Sequence, residues 1–327
     1  MGTLDGKVTV ITGSGRGIGQ GMAKLFAREG AKVVVNDPGV NVDGTSHDNG
    51  PADQTVAVIK AAGGQAVANY DSVATAEGGE RMIKQAVDTW GRIDVLCNVA
   101  GILRDRMIFN MTPEEWRAVL DVHLTGQFHT IRPASVQMRQ QRNGRIINFS
   151  SSTGLFGNVG QANYGAAKSA VAGLTRMIAR DLGGYGVTAN VIAPSASTRL
   201  TASVGDQTSL LASIAGQPEA ATRPQAERTS GWGAAMGGPE YIAPMCAYLA
   251  SDEAWDINGQ VFHVVGGRVS LGVHPTPRRT IVKHGLWTLA ELDDAVQYVL
   301  MRGIHNPQPP RDDVEVPGRN TPARALA

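Results

Sequence analysis

Val8-Thr9-Val10-Ile11-Thr12-Gly13-Ser14-Gly15-Arg16-Gly17-Ile18-Gly19 is the stretch on which the reading of this chain turns. The β-branched run Val8–Ile11 argues for a strand, because such side chains are stiff and pack well on a pleated surface. Glycines then strip the Cβ atoms from the turn, and helical patterning follows over Ile18–Glu29. A glycine-rich strand-to-helix turn lets backbone N–H groups approach a pyrophosphate, and the helix N-terminus adds a favourable dipole. The spacing is T-G-x-x-x-G-x-G, since Met22 stands where the G-x-G-x-x-G pattern wants its last glycine. Gly13, Arg16, Gly17, Ile18 and Gly19 are the candidate phosphate-cradling residues, with Thr12 bracing the turn. A purely structural glycine-rich turn is the competing reading.

Outward from this point, short β-branched runs alternate with longer helical patterns. The runs are Lys32–Asn36, Ala66–Asn69, Val95–Asn98, Arg145–Phe149, Thr188–Ile192 and Val261–Val264; Ala76–Trp90 and Ala162–Leu182 are helical stretches between them. Near-continuous apolar strands with intervening helices predict an α/β fold, a Rossmann-type doubly wound parallel sheet of about seven strands with helices on both faces. Thr112-Pro113-Glu114-Glu115 reads as a helix start with a capping box. The expected division is one domain over 1–267 and a C-terminal extension over 268–327, with one helical pattern at Thr288–Met301 and a Pro- and charge-rich end. Asp37–Pro51 is a long polar loop, and the stretch 199–238 is expected to form a lid.

Composition narrows the function classes. The chain has 327 residues, is 42% hydrophobic and carries a formal net charge of +1, so no surface for nucleic acid or another polyanion is implied. No apolar run approaches membrane-spanning length and the N-terminus lacks a signal-peptide layout, so a cytoplasmic protein without a membrane partner is expected. Cys97 and Cys246 are the only cysteines, which argues against a disulfide framework. The seven histidines show no metal-ligand spacing, so no catalytic metal is expected.

Two acidic residues follow strands. Asp37 ends the second, where a carboxylate can accept both adenosine-ribose hydroxyls and repel a 2′-phosphate. That favours NAD over NADP, although Arg16 in the glycine loop pulls the other way. Asp71, after the third strand, either accepts from an adenine amino group or caps a helix. Further along, Tyr164 and Lys168 stand four apart on one helical face, and Ser151 stands thirteen positions before Tyr164. A neighbouring ammonium lowers a tyrosine pKa, so Tyr164 can exchange a proton with a carbinol or carbonyl oxygen. Ser151 can hydrogen-bond the same oxygen, with Ser150 and Ser152 as competitors for that role.

Together these residues resemble the short-chain dehydrogenase/reductase superfamily over roughly Leu4–Gly267. Asn98-Val99-Ala100-Gly101 is similar to its Asn-Asn-Ala-Gly motif, and Pro194-Ser195 to its Pro-Gly step. The runs Ala68–Val73, Gly101–Arg106 and Gly157–Tyr164 resemble one subgroup, the (3R)-hydroxyacyl-CoA dehydrogenase domain of peroxisomal multifunctional enzymes and related actinobacterial proteins of lipid and sterol catabolism. The resemblance implies NAD-linked interconversion of a secondary alcohol and a ketone on a small-molecule or acyl-CoA substrate, and a homodimer or homotetramer. It implies cofactor contacts from Ser72, Asn98, Ala100, Gly101, Pro194 and Thr198, and from Tyr164 and Lys168, the latter on the nicotinamide ribose. Leu155, Phe156, Trp232 and Met236 fall where the family forms its substrate pocket. His123 replaces the usual catalytic Asn and either holds a relay water or braces its helix. A hydroxysteroid or terpenoid-alcohol dehydrogenase, an NADPH-dependent 3-oxoacyl reductase and a non-catalytic NAD-sensing scaffold are the alternatives.

Overall fold

Val33, Val34 and Val35 show why the sheet is covered on both faces. Side chains alternate across a strand, and Val33 and Val35 enter one apolar cluster while Val34 enters another. In the computed structural model, which describes residues 2–196 and 237–304, the strands are β1 (Val8–Thr12), β2 (Lys32–Asn36), β3 (Gln65–Asn69), β4 (Val95–Asn98), β5 (Gly144–Phe149), β6 (Val187–Ser195), β7 (Val261–Val265) and β8 (Arg268–Leu271). They lie in the order β3-β2-β1-β4-β5-β6-β7-β8. β1 to β7 are parallel, with Val8 opposite Lys32 and Leu96 opposite Ile146.

The helices are α1 (Gly17–Arg28), α2 (Gly50–Ala61), α3 (Ala76–Trp90), α4 (Pro113–Leu120), α5 (Gly126–Gln141), α6 (Ser152–Phe156), α7 (Ala162–Gly183), α8 (Ala243–Ala250) and α9 (Leu289–Ala295). On one sheet face Phe26 of α1, Ile59 of α2 and Cys246 of α8 pack with Ile11, Val33 and Val35. On the other, Met82 of α3, Met138 of α5 and Ile178 of α7 pack with Val8, Val10 and Val34. The expected capping box opens α4: the Glu115 N–H donates to Thr112 Oγ1 (3.2 Å) and the Thr112 N–H donates to Glu115 Oε2 (3.0 Å). Between α4 and α5 a single wide turn, Asp121–Thr125, has π-helical bonding.

The sheet runs one strand beyond the seven expected. Gly266 adopts φ +52°, and the Gly266-Gly267 turn sends Arg268–Leu271 back antiparallel on β7, Val265 opposite Arg268. Glycines make such a two-residue reversal accessible. Two compact units result, Met1–Val273 and His274–Ala327. Within the second, α9 begins at a Thr288/Glu291 capping box, and Lys283 pairs with Glu291 at 2.6 Å. Among the described residues no helix is long and apolar enough to cross a membrane.

Candidate active site

The strand order reverses between β1 and β4, and in open α/β sheets a crevice forms beyond the strand ends at such a point. Here it is a cleft of about 380 Å³ lined by Gly13, Arg16, Gly17, Ile18 and Gly19, with Asp37 and Ser72 at one side and Ala100 and Gly101 at the other. Two glycines are obligatory. Gly13 has φ +64°, and a Cβ there would meet Ala100 Cα at 2.8 Å; a Cβ on Gly19 would lie 2.3 Å from the Gly13 carbonyl oxygen. α1 starts with no side-chain cap, so its first N–H groups remain available to an anion. Thr12 braces the turn by accepting at Oγ1 from the N–H groups of Val99 (3.0 Å) and Ala100 (3.1 Å). These features fit a dinucleotide: close backbone, free donors, and a carboxylate at the end of β2.

Asp37 accepts from the Gly15 N–H at 2.9 Å and from the Gly39 N–H at 2.8 Å, which aims its carboxylate across the glycine loop. Arg16 points toward Asp48, 4.0 Å away. Three expected cofactor contacts stand differently. Asp71 neither lines the cleft nor caps α3: Arg81 donates to its Oδ1 at 2.7 Å, Asn69 donates to its Oδ2 at 2.9 Å, and Thr75 is the cap. Asn98 is buried in a ladder that crosses the sheet, donating to Asn148 Oδ1 (2.9 Å) and accepting from Thr130 Oγ1 (2.7 Å). Pro194 is held in β6 opposite Val264, outside the cleft lining.

The serine, tyrosine and lysine gather as expected. Ser151 caps α6, its Oγ accepting from the Thr153 N–H at 3.2 Å, and it lies close enough to Tyr164 for its hydroxyl to oppose the rise in the tyrosine pKa. Ser150 points inward and donates to the Lys168 carbonyl at 2.7 Å, so of the two it is Ser151 that faces Tyr164. Lys168 Nζ donates to the Phe149 carbonyl (2.6 Å) and lies 5.6 Å from the centre of the Tyr164 ring. A Cβ on Gly154 would come within 2.6 Å of Lys168 Cβ, so α6 and α7 meet closely here.

The expected fall in the tyrosine pKa is not what the protein alone produces. Burial pushes Tyr164 up to about 12 against the opposing Ser151 hydrogen bond. Burial also brings Lys168 down to about 7, so its ammonium is only partly charged near neutrality. Desolvation, which a four-residue spacing does not report, dominates both groups.

His123 sits in the wide turn, 1% exposed, with its ring edge-on to Tyr164 at 5.0 Å between centres. Its Nε2 is 2.7 Å from the Ile102 carbonyl oxygen and 3.1 Å from the Ile102 nitrogen. A Cβ on Gly101 would strike the imidazole at 2.4 Å. Burial, reinforced by Lys168, holds its pKa well below 6.5 and keeps it neutral.

Of the four expected pocket residues, Leu155 and Phe156 are described. Leu155 packs with Ala172, Val191 and Val261, and Phe156 is 67% exposed and stacked on His263 at 5.5 Å. Neither lines the cleft, and the same holds for Ser151, Tyr164 and Lys168. Thr198, Trp232, Met236 and nearly all of the expected 199–238 lid lie outside the described residues. Sequence reasoning also gave no role to Asn163 and Gln161, which seat α7. Asn163 donates to the carbonyls of Arg104 (2.9 Å) and Glu115 (3.2 Å) and accepts the Tyr164 N–H (2.7 Å). Gln161 donates to Asp105 Oδ2 at 2.8 Å, and burial raises the Asp105 carboxyl to about 6. Arg106 pairs with Glu115 at 2.7 Å, and Arg104 donates to the Asp43 carbonyl at the cleft rim.

Comparison with known proteins meets this geometry at the family level. The short chain dehydrogenase family matches residues 7–209. The chain belongs to that family. As a short-chain dehydrogenase it is an oxidoreductase acting on CH–OH groups, in a family that binds nicotinamide cofactors. It is 41% identical to the peroxisomal hydratase-dehydrogenase-epimerase of Neurospora crassa over 82% of this chain, and spans 27% of that protein's length. It is 38% identical to the hydroxyacyl-CoA dehydrogenase ChsB1 of Mycobacterium tuberculosis, over 88% of this chain and 87% of that one. A short chain dehydrogenase from Mycobacterium avium has a solved structure similar to this one, with TM-score 0.75, 40% identity and coverage of 94% and 99% of the two chains.

Proposed function

We propose that this chain is an NAD-dependent dehydrogenase that oxidises the C3 hydroxyl of a (3R)-3-hydroxyacyl-CoA. The observation that carries the reading is the grouping of Ser151, Tyr164 and Lys168, with Tyr164 reached from the cleft wall through Gly101 and His123. Ser151 donates to the substrate oxygen and steadies charge on it. Tyr164 removes the carbinol proton, and Lys168 favours the phenolate form and binds ribose hydroxyls. Gly13, Arg16, Gly17 and Gly19 would hold a nicotinamide dinucleotide in the cleft, and that cofactor when bound would supply a hydride acceptor for C3. Asp37 favours NAD because its carboxylate suits vicinal ribose hydroxyls and repels a phosphate. The similarity to ChsB1, named a hydroxyacyl-CoA dehydrogenase, over 88% of this chain supports the substrate class.

The test is nicotinamide absorbance with medium-chain (3R)- and (3S)-3-hydroxyacyl-CoA, using NAD and NADP in parallel. Turnover of the (3R) thioester with NAD is expected. In Tyr164→Phe, kcat should fall by about 10²–10⁴ while NAD binding persists. A Tyr164→Phe enzyme that keeps its turnover would overturn the acid/base role. Turnover of neither thioester would remove the substrate assignment.

A further inference from the structure

Asp105 stands between two arginines and pairs with neither. Arg106 turns to Glu115 at 2.7 Å, and Arg104 donates to the Asp43 carbonyl at 2.9 Å. Among the described residues no ion pair includes Asp105. Its Oδ1 is buried without a hydrogen-bond partner, and its Oδ2 accepts from the Gln161 side-chain amide at 2.8 Å. A carboxyl group withdrawn from water without a cation costs free energy that an apolar side chain would not. The one contact it does make is therefore the informative one.

From Gln161 the contacts continue to Ser151. Gln161 is 3% exposed and immediately precedes α7. With its amide nitrogen on Asp105, its amide oxygen faces the other way and accepts from Thr153 Oγ1 (3.1 Å) and Asn158 Nδ2 (3.0 Å). Thr153 in turn donates its backbone N–H to Ser151 Oγ at 3.2 Å. The Gln161 carbonyl accepts the Gly165 N–H (2.7 Å), so the same residue also holds the first turn of α7, which carries Tyr164. Alongside, the Arg106 N–H donates to the Gly160 carbonyl at 2.7 Å and fixes the two segments side by side. An acceptor at position 105 sets the direction of this chain. Without it the Gln161 amide can reverse, which would set its NH2 group against that of Asn158, donor against donor.

We propose that Asp105 is a positioning residue, whose carboxylate orients the Gln161 amide and through Thr153 holds the Ser151 hydroxyl in place against α7. Ser151 Oγ, occupied as an acceptor by the Thr153 N–H, keeps its proton to donate to a substrate oxygen. Releasing Gln161 loosens the start of α6 relative to the start of α7, and so the serine relative to the tyrosine. The effect on turnover rests on the roles of Ser151 and Tyr164 in the function proposed above; the clamp between α6 and α7 does not.

The experiment combines kinetics of the full chain, with NAD and a (3R)-3-hydroxyacyl-CoA, and hydrogen exchange read by mass spectrometry. Asp105→Leu should lower kcat about tenfold with the KM for NAD unchanged. Asp105→Asn, whose amide oxygen can still accept from Gln161, should recover most of that loss. Both variants remove the charge that opposes ionisation of Tyr164, so the difference between them reads the acceptor alone. Thr153→Val should lower kcat about threefold, and adding it to Asp105→Leu should cost nothing further, because both break one chain. Asp105→Leu and Thr153→Val should each speed exchange over residues 151–161 and leave β1 to β3 unchanged. Losses that multiply in the double variant, or an Asp105→Asn enzyme as slow as Asp105→Leu, would overturn the proposal. If Asp105→Leu failed to fold, wild-type exchange over 151–161 in Thr153→Val would do the same. A wild type without turnover would count against the function proposed above. Exchange alone would then judge the clamp, supported if faster in the variants and overturned if unchanged.

Discussion

An ammonium taken out of water costs free energy that the fold must supply, and Lys168 is such a group. It is buried, and its pKa falls from 10.5 to about 7 because burial disfavours the charged form. Between those values the unfolded chain keeps a proton that the folded chain has released. Stability therefore rises with pH across that window: the penalty is full below about 7 and gone above 10.5. Lys168→Met removes the titration. The variant should exceed the wild type in thermal midpoint by a wider margin at about pH 7 than at about pH 10. Equal margins at the two pH values would mean that Lys168 is not desolvated as described. Tyr164, raised to about 12, is present in both proteins and cancels in the comparison. The same residue illustrates how far sequence reading reaches. The four-residue spacing from Tyr164 placed Lys168 on the right face, but the sign of the pKa shifts depended on burial, which no local pattern reports.

At the scale of elements, the start of α7 is where the site is aligned. Asn163 bonds to backbone carbonyls 59 and 48 positions earlier and to the Tyr164 N–H, so one amide ties the helix to the segments that flank the cleft. Asn163→Ala removes its donations to the part-buried Arg104 and Glu115 carbonyls. It should cost about 1–3 kcal/mol in denaturant unfolding and lower kcat more than it weakens NAD binding. Unchanged stability with unchanged kcat would show that α7 is seated by its apolar contacts alone. The contrast with α4 is instructive. Its start was legible because Thr112 and Glu115 satisfy each other within four residues. The wide turn at Asp121–Thr125 and the bonds of Asn163 were not, since both answer to groups distant in the chain.

For the whole molecule, stability rests on two apolar layers, one on each side of the sheet. Phe26 is fully buried in the layer shared by α1, α2 and α8. Phe26→Ala should cost about 3–5 kcal/mol in urea unfolding with little change in slope. A loss below about 1 kcal/mol would mean that the layer collapses around the gap. The class of fold, the parallel direction of its first seven strands and the glycine cradle were determined by the sequence alone, because strand and helix periodicity and the Cβ-free turn are local properties of consecutive residues; the order of the strands was not. The residues alone left Ser150, Ser151 and Ser152 open, and the choice of Ser151 came from its resemblance to the family's spacing. Only tertiary structure decided that Asn98 belongs to a buried ladder, that Asp71 is occupied by Arg81, that Phe156 turns outward, and that His123 faces Ile102. In each case the side chain takes the partner that folding brings beside it, and a buried polar group must take one or remain unpaired at a cost.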